Sequence, residues 1–442
     1  MSSSSPVVTR RGTGASPGSI KAIFGGAFGN FVEWYDWGIF AVLSSIFSAQ
    51  IFAGGTPAVA LLQSLITFAV GFAARPLGAI FLSPLGDKLG RKTLLSLTII
   101  MMGAGSLIIG ITPAYSVIGI VAPAIFVLAR IMQGISAGAE FQTASSFIVE
   151  HAPTKHRAFF GSLTLVSSIL GTLVATATGA VLTATLSRED LAVWGWRVAF
   201  IFGAVLSLVG LILRARAKES PAFEAMAEEN AIEKAPIRTV FARHKLAMLR
   251  MFAIAIYTSP YYLFTVYLPT YAHITSGIPL DQAFLGGIIA LVIMMIALPL
   301  VGALSDRIGR KPMLLATPIG IAVLIYPFLN FLESPDFGTF LLVDIVGCLV
   351  ISFTSGTMSA AYCELFPADV RSTGIGIPYN ISSALLGGTT PLIATALTTA
   401  GNGIGLVWLF VPLAVFSIIV LAFMPEVRGR DLNQRVTVGS EA

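Results

Sequence analysis

Between Ala22 and Phe52 nearly every residue is apolar or small, yet the middle of the run reads Asn30-Phe-Val-Glu-Trp-Tyr-Asp-Trp-Gly-Ile-Phe40 and carries two carboxylates, Glu33 and Asp36. A helix of about 20 apolar residues crosses a bilayer, and a carboxylate near its centre costs about 2.5 to 3.5 kcal/mol on insertion scales. Residues three apart share one helix face, so both acids point the same way and repel each other there. That face must look onto a water-filled cavity, onto cations or onto protons, which calls for a bundle of spans around a polar interior. The plainer alternative is that one of the two acids sits in a buried structural ion pair. Composition agrees with a membrane chain: 11% of residues are charged and 55% hydrophobic, whereas a soluble domain has about 25% charged.

Apolar runs bounded by charges or Pro/Gly clusters predict an all-α integral membrane fold with twelve spans, near 22–48, 58–82, 93–112, 116–143, 159–185, 194–214, 248–272, 282–304, 313–331, 338–362, 372–399 and 403–424. One set of connections holds Arg10, Arg11 and Lys21; Lys88, Arg91 and Lys92; Lys155 and Arg157; Arg214 through Arg250; Arg307, Arg310 and Lys311; Arg371; and Arg428, Arg430 and Arg435. The other set holds Arg188, with Arg197 at a span entrance. Cytoplasmic loops retain Lys and Arg, so both termini are expected in the cytoplasm of a multi-pass protein of the cell (inner) membrane. The net charge of +5 is then topological and no nucleic-acid partner is expected. The first span has no small-residue cleavage site followed by a polar domain, which argues against a removable signal peptide.

Domains follow from the same pattern: a disordered cytoplasmic N-terminus (1–20), a six-helix bundle (21–214), a partly helical cytoplasmic linker (215–247), a second bundle (248–424) and a tail (425–442) expected to be disordered, since it has no heptad pattern. Cys348 and Cys363 are too far apart along one helix to bond and read as packing residues. The histidines, His151, His156, His244 and His273, lie at span ends or in loops. Neither a metal cluster nor a nucleophile constellation emerges, so no enzyme, metal or cofactor is expected.

The two halves repeat each other. Gly86-Asp-Lys-Leu-Gly-Arg-Lys92 follows span two, Ser305-Asp-Arg-Ile-Gly-Arg-Lys311 follows span eight, and Glu150/Arg157 recurs as Glu364/Arg371 after spans four and ten. Parallel repeats of this kind enclose a central site that rocking exposes to either face. These loops resemble the signature loop of the major facilitator superfamily. Gly29-Asn-Phe-Val-Glu-Trp-Tyr-Asp36, Arg75-Pro-Leu-Gly78, Leu128-Ala-Arg-Ile-Met-Gln-Gly-Ile-Ser-Ala-Gly-Ala-Glu140, Trp194-Gly-Trp-Arg197 and Tyr362-Cys-Glu-Leu-Phe-Pro-Ala-Asp-Val-Arg371 resemble its metabolite:proton symporter family. The resemblance implies the major facilitator fold, proton-coupled uptake of Krebs-cycle carboxylates, shikimate-type acids, or betaines and proline, and an ion pair between Asp36 and Arg130.

At 1.5 Å per residue, Glu33, Asp36, Arg75 and Arg130 all lie roughly 18 to 23 Å deep, so two acids and two arginines meet near the midplane. Arginine stays protonated, and protonating Glu33 or Asp36 frees a guanidinium to hold a substrate carboxylate. Tyr35, Tyr257, Tyr261, Tyr262, Tyr379, Asn380, Gln133 and Gln142 are candidate substrate contacts, the tyrosines of span seven and Tyr379-Asn380 because prolines break the helix beside them. Arg197 is a possible third substrate cation. Asp87, Arg91, Glu150, Arg157, Asp306, Arg310, Glu364 and Arg371 are expected to latch the cytoplasmic rim, and Glu140 to belong to that network or to the proton path. Asp344 reads as a satisfied polar residue. The expected function is a monomeric proton-coupled symporter importing a small organic acid by alternating access, first a dicarboxylate such as 2-oxoglutarate, since two arginines at one depth suit two charged ends. The alternative is a zwitterion such as betaine or proline, or a shikimate-type acid. A channel would not need two latched halves, and a sensor would need a signalling domain.

Overall fold

The computed structural model describes residues 17–52, 56–333 and 336–432; of the stretches expected to be disordered, residues 1–16 and 433–442, with Arg10, Arg11 and Arg435, lie outside the described residues, whereas residues 17–20 form the first turn of a helix. Among the described residues there is no strand. Eleven helices are long and apolar enough to cross a membrane: α2 (Val59–Leu89), α3 (Arg91–Ile111), α4 (Val121–His151), α5 (Thr154–Thr185), α6 (Arg188–Ala215), α7 (Lys245–Ser276), α8 (Leu280–Ile308), α9 (Arg310–Phe331), α10 (Phe337–Leu365), α11 (Ala368–Thr398) and α12 (Gly403–Ala422). The helix before them, α1 (Pro17–Ile51), holds the two acids at its centre and completes two six-helix bundles. The halves meet where α2, α4 and α5 pack against α8, α10 and α11.

Three spans are broken beside prolines, and the prolines say why. Proline removes an N–H from the helical ladder and its ring crowds the preceding turn. In α2 the ladder is interrupted at Ala74 and Leu82, ahead of Pro76 and Pro84. In α7 it breaks at Ile256–Tyr257 ahead of Pro260, then widens over Leu263–Tyr267 ahead of Pro269. In α11 Pro378 lies inside the helix and a wide turn follows at Ser383–Gly387. Wide turns of this kind are commonly found at functional sites. Helices α2 and α4 approach backbone to backbone: a Cβ on Gly138 would stand 1.9 Å from the Arg75 carbonyl oxygen, and one on Gly134 2.0 Å from that of Gly71. Small residues at such a crossing let two spans close up, and this crossing fixes where Arg75 and Arg130 emerge.

The segment 425–432 differs from the expected disordered tail. Met424, Val427 and Leu432 are buried. The Glu426 carboxylate accepts the backbone N–H of Arg310 (2.9 Å) and Lys311 (3.1 Å) at the start of α9. The Arg430 carbonyl accepts from Arg157 at 2.6 Å, and that of Leu432 from Arg371 at 2.8 Å. No heptad is needed for this order, because a helix start and two buried guanidinium groups require acceptors. After α6, Glu219 caps α3 in the same way, accepting from the Lys92 N–H at 3.1 Å. The linker forms two short helices, Pro221–Glu228 and Pro236–Arg243.

Candidate functional site

A cavity of about 560 Å³ lies between α1, α2 and α5 of one half and α7 and α11 of the other. Its walls carry Trp34, Trp37, Phe68, Phe72 and Tyr262, with small residues and exposed backbone of α11 completing it. Every broken span contributes to this lining, which is where irregular backbone at membrane depth is tolerated. The α2 residues of the wall precede Arg75, so the cavity lies on the side of Arg75 away from the Asp87 loop.

Two ion pairs lie beneath it, both buried. Arg75 Nη2 donates to Glu33 Oε1 at 3.2 Å. Arg130 Nη1 donates to Asp36 Oδ2 at 2.9 Å and to Gln133 Oε1 at 2.9 Å, while the Ser106 hydroxyl donates to Asp36 Oδ1. The pairs differ in how completely they are satisfied. The difference is at the carboxylate: both oxygens of Asp36 have donors, but Glu33 Oε2 has no partner among the described residues; Nε of Arg75, Nε of Arg130 and the Trp37 indole N–H have none either. The guanidinium of Arg130 stacks on Phe40 at 3.7 Å and on Trp37 at 5.0 Å, and that of Arg75 lies 5.3 Å from the centre of Phe72. Trp37 and Phe72 thus form a wall between the cavity and the charges, a geometry in which ring faces attract cations. From the other half, Tyr262 and Tyr379 face Arg75.

At the opposite end the halves are bonded to each other. Asp87 accepts the Ser372 and Thr373 N–H groups, each at 2.9 Å, at the start of α11. Asp306 accepts those of Ala158 (3.0 Å) and Phe159 (2.9 Å) at the start of α5. Each aspartate of the repeated loop caps a helix of the opposite half, where unpaired N–H groups and the helix dipole favour an anion. Arg91 Nη2 reaches the Ala368 carbonyl at 2.5 Å, Arg371 pairs with Glu150, and Arg157 lies 3.5 Å from Glu364. Arg310 pairs with Asp306 and Glu364, each at 2.8 Å. Gly90 and Gly309 make these corners possible, with φ of 99° and 111° that only glycine adopts without strain.

The family model described as Major Facilitator Superfamily matches residues 26–387 and 289–439. The chain belongs to the major facilitator superfamily. It is 34% identical over 419 residues to the alpha-ketoglutarate permease of Escherichia coli (strain K12), covering 94% of this chain and 95% of that one. It is 30% identical over 432 residues to the glycine betaine/proline/ectoine/pipecolic acid transporter OusA of Dickeya dadantii (strain 3937), covering 95% and 86%. The solved structure of the proton:xylose symporter XylE bound to 6-bromo-6-deoxy-D-glucose superposes with a TM-score of 0.79 over 95% of this chain and 98% of that one, at 18% identity. This superfamily member is a multi-pass metabolite transporter of the symporter kind and not an enzyme.

Within the superfamily fold, the residues singled out from the sequence fall into three groups. Tyr262 lines the cavity, while Glu33, Arg75 and Tyr379 cluster with it behind the wall and do not line the cavity themselves. Tyr257 and Tyr261 pack beside Tyr262 through edge-on ring contacts, and Tyr379 stacks on Phe141 at 4.6 Å. All eight rim residues gather at one end. A third group faces elsewhere. Tyr35 turns into the first bundle, donating to the Ala199 carbonyl at 2.9 Å. Gln133 braces Arg130. Arg197 donates to the Gly110 carbonyl (3.2 Å) and to Gln50 (3.2 Å), tying α6 to α1 and α3. Glu140 pairs with Arg214 and accepts from Thr98, inside the first bundle and away from the rim. Gln142 and Asn380 meet at 3.5 Å across the two halves, below the cavity. Phe68 and Phe72 are wall residues that sequence reasoning passed over, as it did Trp34 and Trp37, rings fit either to line a cavity or to pack against a neighbour, in favour of Tyr35. Their signal was legible in part, since Trp34, Trp37, Gly38 and Ala41 recur at helical spacing on one face of α1.

Proposed function

We propose that this chain is a proton-coupled importer of the inner membrane, both termini cytoplasmic, whose substrate carries one carboxylate on a compact cationic or apolar body, as a betaine, proline or a shikimate-type acid does. The observation that carries this reading is the cavity wall of Trp34, Trp37, Phe72 and Tyr262 above a half-satisfied Glu33–Arg75 pair. Arg75 has a free N–H for a carboxylate, and the rings offer π-faces to the rest of the molecule. Protonating Glu33 releases Arg75 fully to the substrate, and protonating Asp36 loosens Arg130. The latched rim is then the cytoplasmic one, and the cavity faces the outside.

A second reading, a dicarboxylate such as 2-oxoglutarate, is supported by the 34% identical alpha-ketoglutarate permease and by Arg130, which becomes a second anchor once Asp36 is protonated. In this arrangement neither arginine lines the cavity, but Tyr262 of the wall faces Arg75, whereas Arg130 is enclosed by Asp36, Gln133 and Phe40. The test is equilibrium binding of glycine betaine, proline, shikimate and 2-oxoglutarate to purified protein and to Arg75→Ala, Arg130→Lys and Trp34→Ala. Binding of betaine or shikimate that is lost in Arg75→Ala and in Trp34→Ala but kept in Arg130→Lys supports the first reading. Tight 2-oxoglutarate binding that collapses in Arg130→Lys overturns it, because a point charge cannot replace a two-pronged grip.

A further inference from the structure

Asp344 lies two turns into α10 and is fully buried. Instead of being the satisfied polar residue expected, it is poorly met. Its Oδ1 has only the Cys348 thiol, at 3.7 Å, and its Oδ2 has no partner among the described residues. A Cβ on Gly287 of α8 would stand 3.9 Å from that Oδ2 and 3.0 Å from Pro269 of α7. One turn along, Phe264 of α7 packs against Gly347, 2.1 Å from where a Cβ would be. Close to the carboxyl are therefore glycine, proline and a thiol, with a phenyl ring one turn away.

Among the described residues no cation pairs with it, and the Cys348 thiol is its one hydrogen-bond partner. On the elements packed against α10, the charged groups are engaged elsewhere. His273 of α7 bonds the Ile278 carbonyl, and Asp281 of α8 is exposed at that helix's first turn. On α4 and α5, Arg130 pairs with Asp36, Glu140 with Arg214, Glu150 with Arg371 and Arg157 with Glu364; on α9, Arg310 is held at the rim. A carboxylate stripped of water with neither cation nor donor amides is far less stable than the neutral acid, so such a group holds its proton.

The segment of α7 resting on this carboxyl is its irregular one, the wide turn Leu263–Tyr267 followed by Pro269, and the same segment presents Val266 to the cavity. We propose that Asp344 is a proton-binding site of the second half, separate from the acids of α1: it holds a proton while the α7 segment 263–269 is seated on α10, and releases it when that segment lifts away and admits water. Because linkage is reciprocal, raising the pH favours the lifted arrangement. This is independent of which substrate the carrier takes.

Two measurements on the full chain in lipid test it. The first is the infrared difference between the native protein and Asp344→Asn at neutral pH. A carboxylic-acid C=O band present in the native protein and missing from the variant supports the proposal; a difference made only of carboxylate bands overturns it. The second uses Cys348 as reporter in a Cys363→Ser background, comparing its alkylation rate by a membrane-permeant maleimide with and without the additional substitution Asp344→Asn, at matched pH. The expected result is equal rates at acidic pH and, at alkaline pH, a several-fold faster reaction in the protein that keeps Asp344; an ionised Asp344 disfavours the thiolate beside it, so a gain in rate reports access and not ionisation. Equal rates at every pH overturn the coupling. Should Asp344→Asn fail to fold, Asp344→Ser makes the same comparison.

Discussion

Glu33 and Asp36 are three residues apart on one helix, yet their surroundings give them different work. Asp36 is closed in by Arg130 and Ser106, whereas Glu33 shares one oxygen with Arg75 and leaves the other unpartnered beneath the cavity. Replacing Asp36 with Asn leaves Arg130 a buried charge without its counterion, a change that costs about 3 to 5 kcal/mol where it has been measured. Glu33→Gln likewise strips buried Arg75 of its counterion, but Asp36 meets donors on both oxygens and Glu33 on one, so Asp36→Asn is expected to lower the thermal midpoint in detergent more than Glu33→Gln does. In liposomes, Glu33→Gln should abolish uphill accumulation while preserving exchange of labelled substrate, since exchange does not require the empty carrier to return deprotonated. Loss of both activities in Glu33→Gln would assign it to substrate binding instead. That these four residues come together was legible from the helical rise alone, and the direction in which each points was not. Rise fixes distance along an axis; azimuth depends on neighbours such as α6, which takes Tyr35, and α3, which supplies Ser106.

At the scale of the elements, glycine and proline decide more than hydropathy does. The apolar runs located the spans, but α2 was expected to end at residue 82 and continues to Leu89. Pro84 and the charged Gly86-Asp-Lys read as a boundary, and the structure accommodates them by restarting the helix at Ser83. The order of the segment 425–432 was missed for a related reason: what holds it is a set of unpaired donors at the start of α9, which no property of the tail's own sequence displays. The α2–α4 crossing gives a steric prediction. Gly138→Ala forces a methyl to within 1.9 Å of the Arg75 carbonyl, so the two spans must separate. A loss of about 1 to 3 kcal/mol is expected, as for overpacked cores. Gly25→Ala, whose nearest neighbours lie 3.9 Å away, should be neutral within about 0.5 kcal/mol in the same thermal assay. The cap on α9 gives a pH prediction. Burial works against the charge of Glu426, but the backbone N–H groups of Arg310, Arg428, Lys311 and Val427 outweigh it and hold the carboxyl below the ordinary glutamate value of 4.5. A depressed value means that the stabilisation is fully present above 4.5 and is lost as the pH falls through the folded-state value. Hydrogen exchange at the Arg310 and Lys311 amides should accordingly quicken on acidification beneath that range. In Glu426→Gln the exchange should be faster at neutral pH and show no such acid step; an acid step that survives in Glu426→Gln would assign it to another carboxylate.

For the molecule as a whole, the sequence repeat becomes a pair of reciprocal bonds: the Asp87 loop caps α11 of the second half, and the Asp306 loop caps α5 of the first. Neither cap can persist if the halves separate at this end, so on the proposal that the rim is a latch both hold the cavity open at the other. A side-chain cap at a helix start stabilises by about 0.5 to 2 kcal/mol, which corresponds to a shift of roughly 2- to 30-fold between the two arrangements. Asp87→Ala removes one cap completely, whereas Asp87→Asn keeps an oxygen that can still accept from the Ser372 or Thr373 N–H. The proposal that this rim is the latch therefore orders the variants: native, then Asp87→Asn, then Asp87→Ala, in decreasing time spent with the cavity open. A cysteine at position 69, on the cavity wall of α2, reports that time through its rate of reaction with a membrane-impermeant reagent added outside. The rate should fall in the same order, and Asp306→Ala should match Asp87→Ala, because the two loops do the same work from opposite halves. Identical labelling in all four proteins would mean that something other than the two caps holds the halves together at this end, and the remaining ion pairs, Arg371 with Glu150 and Arg157 with Glu364, would then be the ones that set the carrier's resting orientation.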